Sequence, residues 1–244
     1  MSEGSGQAGA ERGRPGRFRV IVLLLVAGGA LLIGIIGLAT REPEVEYVRI
    51  AGVSDAQRIF GGVRQLGDRL GEEGAPVQIQ YFTDVQSAGF RDQFLEVVPS
   101  LVTTEVRSGE VRLLLRNRSL TRNATELSFF GVEAAAEQDY GWNYAYLMVR
   151  NQELARTQGL DREFLLELAE SIEGLELVEW EAAYDAGLDP DSEVTQRLEE
   201  QDTLAIDLEI RAAPAMLVAG PGGTELLQDS PDLATVQRAI DSVR

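Results

Sequence analysis

Three side chains that carry much of enzyme chemistry are missing from this chain: it has no Cys and no His, and all 22 basic residues are Arg, so it has no Lys. Without Cys there is no thiol nucleophile, no CxxC redox couple and no thiolate metal site. Without His there is no Ser-His triad and no imidazole ligand. Without Lys there is no Schiff base and no Walker lysine. Carboxylates, Tyr, Ser, Thr and Arg remain, which leaves an oxygen-ligand metal site or a carboxylate pair open. No cofactor is implied by what is left. The absence of Cys fixes no redox compartment, since it fits reducing and oxidising surroundings alike.

Positive charge is also scarce. The net charge is −18. Four Arg against two Glu give the first 40 residues a balance of +2, so the remainder carries −20. Such a remainder is repelled by nucleic-acid phosphates and by anionic lipid headgroups. No nucleic-acid partner is expected, and the charge reads first as solubility. The apolar fraction of 44% is ample for a core.

Residues 1–19 are rich in Gly, Ser and Arg with no apolar period and read as a disordered tail. Residues 20–39 (VIVLLLVAGGALLIGIIGLA) contain no charge. As a helix, a run of this length spans about 30 Å, one hydrocarbon core. A cleaved signal peptide competes, with Gly37 and Ala39 as its small residues, but its apolar region is usually about 7–15 residues. Length favours an uncleaved transmembrane anchor. The flanking Arg residues put the tail in the cytoplasm and the acidic part outside the cell membrane. Residues 40–75 read as a connector, with helix-like spacing over 54–70 interrupted by Gly61, Gly62, Gly67 and Gly71.

From Pro76 the pattern changes. Val77, Ile79 and Tyr81 alternate with Gln78 and Gln80, a strand over 77–82. A helix follows over 87–107 with Phe90, Phe94, Val97, Val98, Leu101 and Val102 as its apolar stripe, and Pro99 predicts a kink. Residues 110–117 (EVRLLLRN) read as a strand buried on both faces, so the first unit is a parallel βαβ crossover. A helical block runs from about 119 to 208. It holds the aromatics Phe129, Phe130, Tyr140, Trp142, Tyr144 and Tyr146, a helix capped by Asp161, another over 177–186, and a longer one starting at Asp189-Pro190-Asp191. Residues 215–219 and 224–228 form a hairpin around Gly220-Pro-Gly-Gly. Ser230-Pro231 reads as the cap and first residue of a final helix.

The strand at 77–82 delivers Ser87-Ala88-Gly89-Phe90 onto a helix N-terminus, where unpaired N–H groups and the dipole favour an anion. PVQIQYFTDVQSAGF resembles the active-site segment of the DsbA-like thioredoxin-fold oxidoreductases, in which Cys-Pro-x-Cys opens a helix after such a strand. FRDQFLEVVPSL is similar to that family's next helix, EVRLLLRNRSL to its second strand, and WNYAYLMVRNQ to an insertion helix ending in Asn-Gln. LEIRAAPAMLV lies where the family has Gly-Val-x-Gly-Thr-Pro-Thr-Phe. The resemblance spans roughly residues 54–244. It implies an α/β thioredoxin-like fold over 76–244 with a helical insertion, a cis-proline at Pro214 after Ala213, and a peptide groove beside the turn with Asp84 and Trp142 as its candidate liners.

The departures decide the chemistry. Ser87 and Phe90 stand where the two family cysteines stand, Ala88 replaces the proline between them, and Ala212-Ala213 replaces Gly-Thr. A helix N-terminus moves a thiol pKa into a useful range but not a serine hydroxyl, which also lacks a His base. Thiol–disulfide exchange is excluded. The sequence therefore predicts a redox-inactive, membrane-anchored, extracytoplasmic domain without a catalytic residue, binding a peptide or protein or scaffolding an envelope complex. Ser87 reads as a helix N-cap and Phe90 as a core-facing or groove-lining ring. The alternative is a non-thiol enzyme or small-ligand domain that uses carboxylates such as Asp84 or the aromatics of 129–146. The Arg112, Arg116, Arg118 and Arg122 set offers a local basic spot, read first as surface charge.

Overall fold

The computed structural model describes residues 50–85, 87–117 and 125–244. The tail at 1–19, the apolar run at 20–39, the first part of the connector, Arg118 and Arg122 lie outside the described residues. No helix among the described residues is long and apolar enough to cross a membrane.

Within the expected connector, Val53–Phe60 forms helix α1, and Gln65–Leu66 (β1) and Arg69–Leu70 (β2) form a short hairpin. Gly67 sits at its tip with φ 60, a conformation that a side chain would disfavour. Strand β3 (Val77–Thr83) follows, then helix α2 (Ala88–Leu101) and strand β4 (Val111–Asn117). The six-stranded sheet has the order β1-β2-β4-β3-β5-β6, with β5 at Ala215–Gly220 and β6 at Gly223–Leu227. Strands β3 and β4 pair in parallel, from Val77↔Val111 onward, and β3 pairs antiparallel with β5. Leu70 lies opposite Leu113 through the β2–β4 pairing. The connector thus differs from the expectation in that its second half extends the sheet: Ile59, Phe60 and Leu70 are buried in the main core.

Pro99 lies inside α2, and the helix passes into a wider turn over Val102–Val106, where the Arg107 N–H reaches back to the Val102 carbonyl at 3.1 Å. A proline without an N–H removes one rung of the ladder, and the widened turn is a recognised way to absorb such a loss. Strand β4 buries Val111, Leu113 and Leu115 on one face. On the other, Leu114 is buried between the half-buried Arg112 and Arg116. The expectation of burial on both faces therefore holds for the leucines alone. Arg116 is held by Asp68 and by Gln80, whose Oε1 accepts from Nε at 3.0 Å. Arg112 donates to the Glu73 carbonyl at 2.7 Å.

The insertion between β4 and β5 carries α3 (Thr125–Ala136), α4 (Gly141–Arg150), α5 (Gln152–Gln158), α6 (Arg162–Glu170), α7 (Leu177–Gly187) and α8 (Glu193–Asp207). Asp161 caps α6, its carboxylate accepting from the Phe164 N–H at 2.9 Å. Helix α8 starts later than the Asp-Pro-Asp pattern suggests. Ser192, not Asp189, caps it, accepting from the Thr195 N–H at 3.1 Å. The final helix α9 (Leu233–Val243) is likewise capped by Asp232 rather than by Ser230. Asp229 and Ser230 sit at φ 59 and 56, a tight turn that delays the helix by two residues. Trp180 stacks between Tyr144 (5.8 Å) and Tyr184 (5.1 Å) at the centre of the insertion. On the opposite sheet face, Phe82 and Ala215 pack with Ala205 of α8 and Ile210 in a second, small core.

Candidate functional site

Strand β3 ends at Thr83, and the chain turns through Asp84 and Val85 to reach Ser87 and α2. The Ser87 N–H closes the turn on the Asp84 carbonyl at 2.9 Å. Ser87 caps α2: its Oγ accepts from the Phe90 N–H at 3.4 Å, beyond the usual range of about 2.7–3.2 Å, so the cap is weak. The insertion fastens the turn from outside. Gln152, at the start of α5, donates to the carbonyls of Val85 (2.6 Å) and Ser87 (3.1 Å). Its neighbour Asn151 works in the opposite direction, exchanging hydrogen bonds of 2.9 Å with the Ala51 backbone. The Asn-Gln pair at the end of the insertion helix therefore tethers both the N-terminal segment and the site turn. The sequence singled out the pair by resemblance alone; nothing in its composition reveals the tethers.

Phe90 faces inward. It is fully buried, with its ring centroid 5.4 Å from that of Tyr81 and 5.1 Å from that of Phe94. Phe94 in turn stacks with Trp142 at 6.3 Å and meets Tyr146 at 6.5 Å. Burying an aromatic side chain of this size is worth about 1.5–3 kcal/mol, so Phe90 belongs to the core and lines no groove. Trp142, a candidate groove residue, is corrected in the same way. It has no exposed surface, and its indole N–H donates to the Asp68 carbonyl at 3.0 Å. Asp84 is 7% exposed and is not open to a groove either. Tyr81 is sealed beneath the turn. Its hydroxyl donates to Gln93, which donates onward to the Pro231 carbonyl at 3.0 Å. Burial pushes the Tyr81 phenol well above its ordinary value.

The Ala213–Pro214 peptide bond is cis. Strand register sets Phe82 opposite Ala215, so the next step along the pair brings Pro214 level with Thr83, at the strand end that leads to Ser87. Pro214 is buried, Ala213 half-buried and Ala212 exposed. Among the described residues, none hydrogen-bonds to the backbone of Ala212 or Ala213. On the surface of α2 and α5, Arg91 pairs with Asp92 at 2.9 Å and Arg156 with Glu153 at 2.5 Å. The hydrogen bond from Arg156 lowers the Glu153 carboxyl pKa, helped by the charges of Arg156 and Arg91. No cluster of three or more His, Cys, Asp or Glu able to hold a metal is found among the described residues.

No protein-family model and no curated protein matches the chain in sequence. Solved structures do match it in shape. Oxidised BdbD from Bacillus subtilis superposes with a TM-score of 0.61 at 16% identity, over 73% of this chain and 95% of that one. Chlamydia trachomatis DsbA gives 0.60 at 18% identity, over 71% and 89%. A thioredoxin-like oxidoreductase from Silicibacter pomeroyi gives 0.55 at 20% identity, over 76% and 95%. The chain has the DsbA-like thioredoxin fold. Within that fold this domain carries no cysteine, so it performs no thiol–disulfide exchange. Where the sequence expected a turn open to a groove, the DsbA-like domain has a turn sealed from below by Phe90 and clasped from outside by Gln152.

Proposed function

We propose that this is a membrane-anchored, extracytoplasmic domain of the DsbA-like fold that binds an extended peptide or protein segment, or scaffolds an envelope complex, without thiol chemistry. The carrying observation is the Ala212–Ala213 backbone that precedes β5. There the backbone of Ala212 and Ala213 makes no hydrogen bond among the described residues, and the segment, exposed at Ala212 and half-buried at Ala213, lies beside the end of β3. Unpaired backbone next to a strand end is the element that strand addition uses: main-chain bonds supply affinity and neighbouring pockets supply selectivity. The sealed turn supports the same reading. With Phe90 in the core and Ser87 serving as a weak cap, neither residue standing at the family's cysteine positions is left to react, which favours binding through the nearby backbone. The uncharged run at 20–39 supports anchoring, since its length matches a bilayer core.

The test places a photo-crosslinking amino acid at Ala212, and as control at Val178, which is 80% exposed on α7. In native membranes, Ala212 is expected to trap a discrete partner and Val178 is not. Identical products at both positions, or none at Ala212, would refute binding at this loop. Carbonate extraction tests the anchor: the intact chain should stay in the membrane fraction, and deletion of residues 20–39 should release it.

A further inference from the structure

At the other end of α4, about 15 Å along its axis from Gln152, lies a cleft of about 520 Å³. The end of α1, strand β1, the α3–α4 turn and the α6–α7 loop all contribute to it. Its volume falls in the usual range for small-molecule sites, about 300–1,000 Å³, but its lining is unusually polar for one. We propose that this cleft binds a neutral saccharide unit.

The argument starts from which way each amide faces. The Trp142 backbone N–H can only donate, and it donates to Gln65 Oε1 at 3.3 Å. Gln65 must therefore present its Nε2 to Asn143, whose Oδ1 accepts at 2.7 Å. That fixes the Asn143 amide, and its Nδ2 is left as a donor. Asn143 is 8% exposed, lines the cleft, and its Nδ2 is not among the sealed, unpartnered atoms of the described residues. Nδ2 is therefore neither sealed nor bonded to a described residue, and it belongs to a residue that lines the cleft. Gln57 is fixed by the same logic. The Glu173 carboxylate only accepts, at 2.8 Å from Gln57 Nε2, so Gln57 Oε1 is left as an acceptor. Asp139 spends Oδ1 on the Gly67 N–H at 3.0 Å and keeps Oδ2. Glu173 keeps Oε1.

The result is one amide donor and three acceptors left over on residues that line a single space. Phe60 and half-buried Tyr140 are the aromatic residues of its lining. The position of Tyr140 is backed by Gly174, where a Cβ would stand 2.4 Å from the phenol oxygen, so that loop cannot carry a larger residue without moving the ring. Asp139 and Glu173 are the charged liners and, among the described residues, no Arg lines the cleft, which disfavours phosphates, carboxylates and nucleotides. A purely cationic ligand would use the acceptors and leave Asn143 Nδ2 unused. A vicinal diol both donates and accepts, and a sugar's C–H face suits an aromatic side chain. Both halves of the lining are then used.

The experiment titrates the 244-residue chain with neutral disaccharides (maltose, cellobiose and N,N′-diacetylchitobiose) and, separately, with spermidine and free arginine. Binding is read by saturation-transfer NMR and calorimetry. At least one disaccharide should bind saturably. Asn143→Asp keeps the acceptor for Gln65 but turns the donor into an acceptor, and should weaken binding about ten-fold. Because it buries a carboxylate beside Asp139 and Glu173 it also lowers the melting temperature, so binding is compared well below the melting temperature of the variant. Gln57→Ala, at an exposed rim position, is the second variant and should weaken it less. Absence of binding by all three disaccharides, or binding that both variants leave unchanged, would overturn the proposal. Saturable binding of spermidine or arginine that displaces the sugar would also overturn it, in favour of a cation site. Crosslinking at Ala212 depends on neither variant, so the two proposals fail separately.

Discussion

The two ends of helix α4 differ in what they leave over. Beyond its C-terminus, Asn151 and Gln152 spend their amides on the backbone of Ala51, Val85 and Ser87. The turn they fasten is sealed beneath by Phe90. At its N-terminus, Gln65 donates to Asn143, and the Asn143 Nδ2 keeps its donors on a residue that lines a cleft. The first end sits where the DsbA-like fold would be expected to act, yet its side chains are committed to holding shape. The second has no family motif, yet carries unspent hydrogen-bonding capacity in a fixed orientation. Position in a fold says where chemistry could be placed; leftover polar groups say where it is available.

The largest expected effect tests the sealed end. Phe90→Ala should cost about 3–5 kcal/mol in urea unfolding, because it opens a cavity between Tyr81 and Phe94. Were Phe90 a groove ring instead, truncation would cost less than about 1 kcal/mol, and the contrast between the ends would collapse. Gln152→Ala comes next. It strips two carbonyls of their donor and should cost about 1–3 kcal/mol, with faster amide exchange confined to the turn and the start of α2. Exchange that accelerates equally throughout would mean that the tether is not local.

Alkali offers a second probe of the same burial. Tyr81 is held as a neutral phenol with its folded pKa raised above the unfolded value by desolvation. The unfolded chain then gives up its proton first, near pH 10. Stability from this group is complete below that pH and is lost as pH rises toward the folded value, by about 1.4 kcal/mol per pH unit. The unfolding free energy from urea titration should fall steeply between pH 10 and 11, by about that slope per buried phenol. Tyr81→Phe should flatten part of the fall and leave the share of Tyr144, which is raised by burial as well. An unchanged slope in Tyr81→Phe would mean that water reaches the turn from below.

The path of the chain could be read in advance wherever a periodic pattern met a local signal. The alternation of Val77, Ile79 and Tyr81, the apolar stripe of α2 and the Asp161 cap each carry their structure in a few adjacent residues. Caps near proline misled: Asp189-Pro190 and Ser230-Pro231 look like helix starts, but the chain first makes a turn and uses Ser192 and Asp232. Two-residue strands such as β1 and β2 are too short to show a period, so the hairpin they form was hidden inside a glycine-rich connector. At the turn, the loss of thiol chemistry was visible because it depends on residue type. The inward aim of Phe90 was not, because a ring three positions after a cap can face either way until Tyr81 and Phe94 are placed. The cleft was invisible for a simpler reason: Gln57, Gln65, Asp139, Asn143 and Glu173 come from four separate segments.

The smallest expected effect concerns Ser87 itself. Its cap bond is long, so Ser87→Ala should cost only about 0.5 kcal/mol, the low end for an N-cap. Ser87→Cys asks a sharper question of the same atom. The fourteen-residue helix α2 still points its N-terminus at position 87, so a thiol there should titrate below its ordinary value of about 8.5. Thiolate absorbance against pH measures this directly. The variant thiolate should attack small disulfide reagents, forming a mixed disulfide and releasing one thiolate, and should not resolve it, since Phe90 stands where a second thiol is needed. A depressed pKa would mean that the electrostatic field of the fold persists at the turn and that only the reacting atoms are gone. An ordinary pKa would mean that the seal has removed the field as well, and that nothing of the site remains but its backbone path.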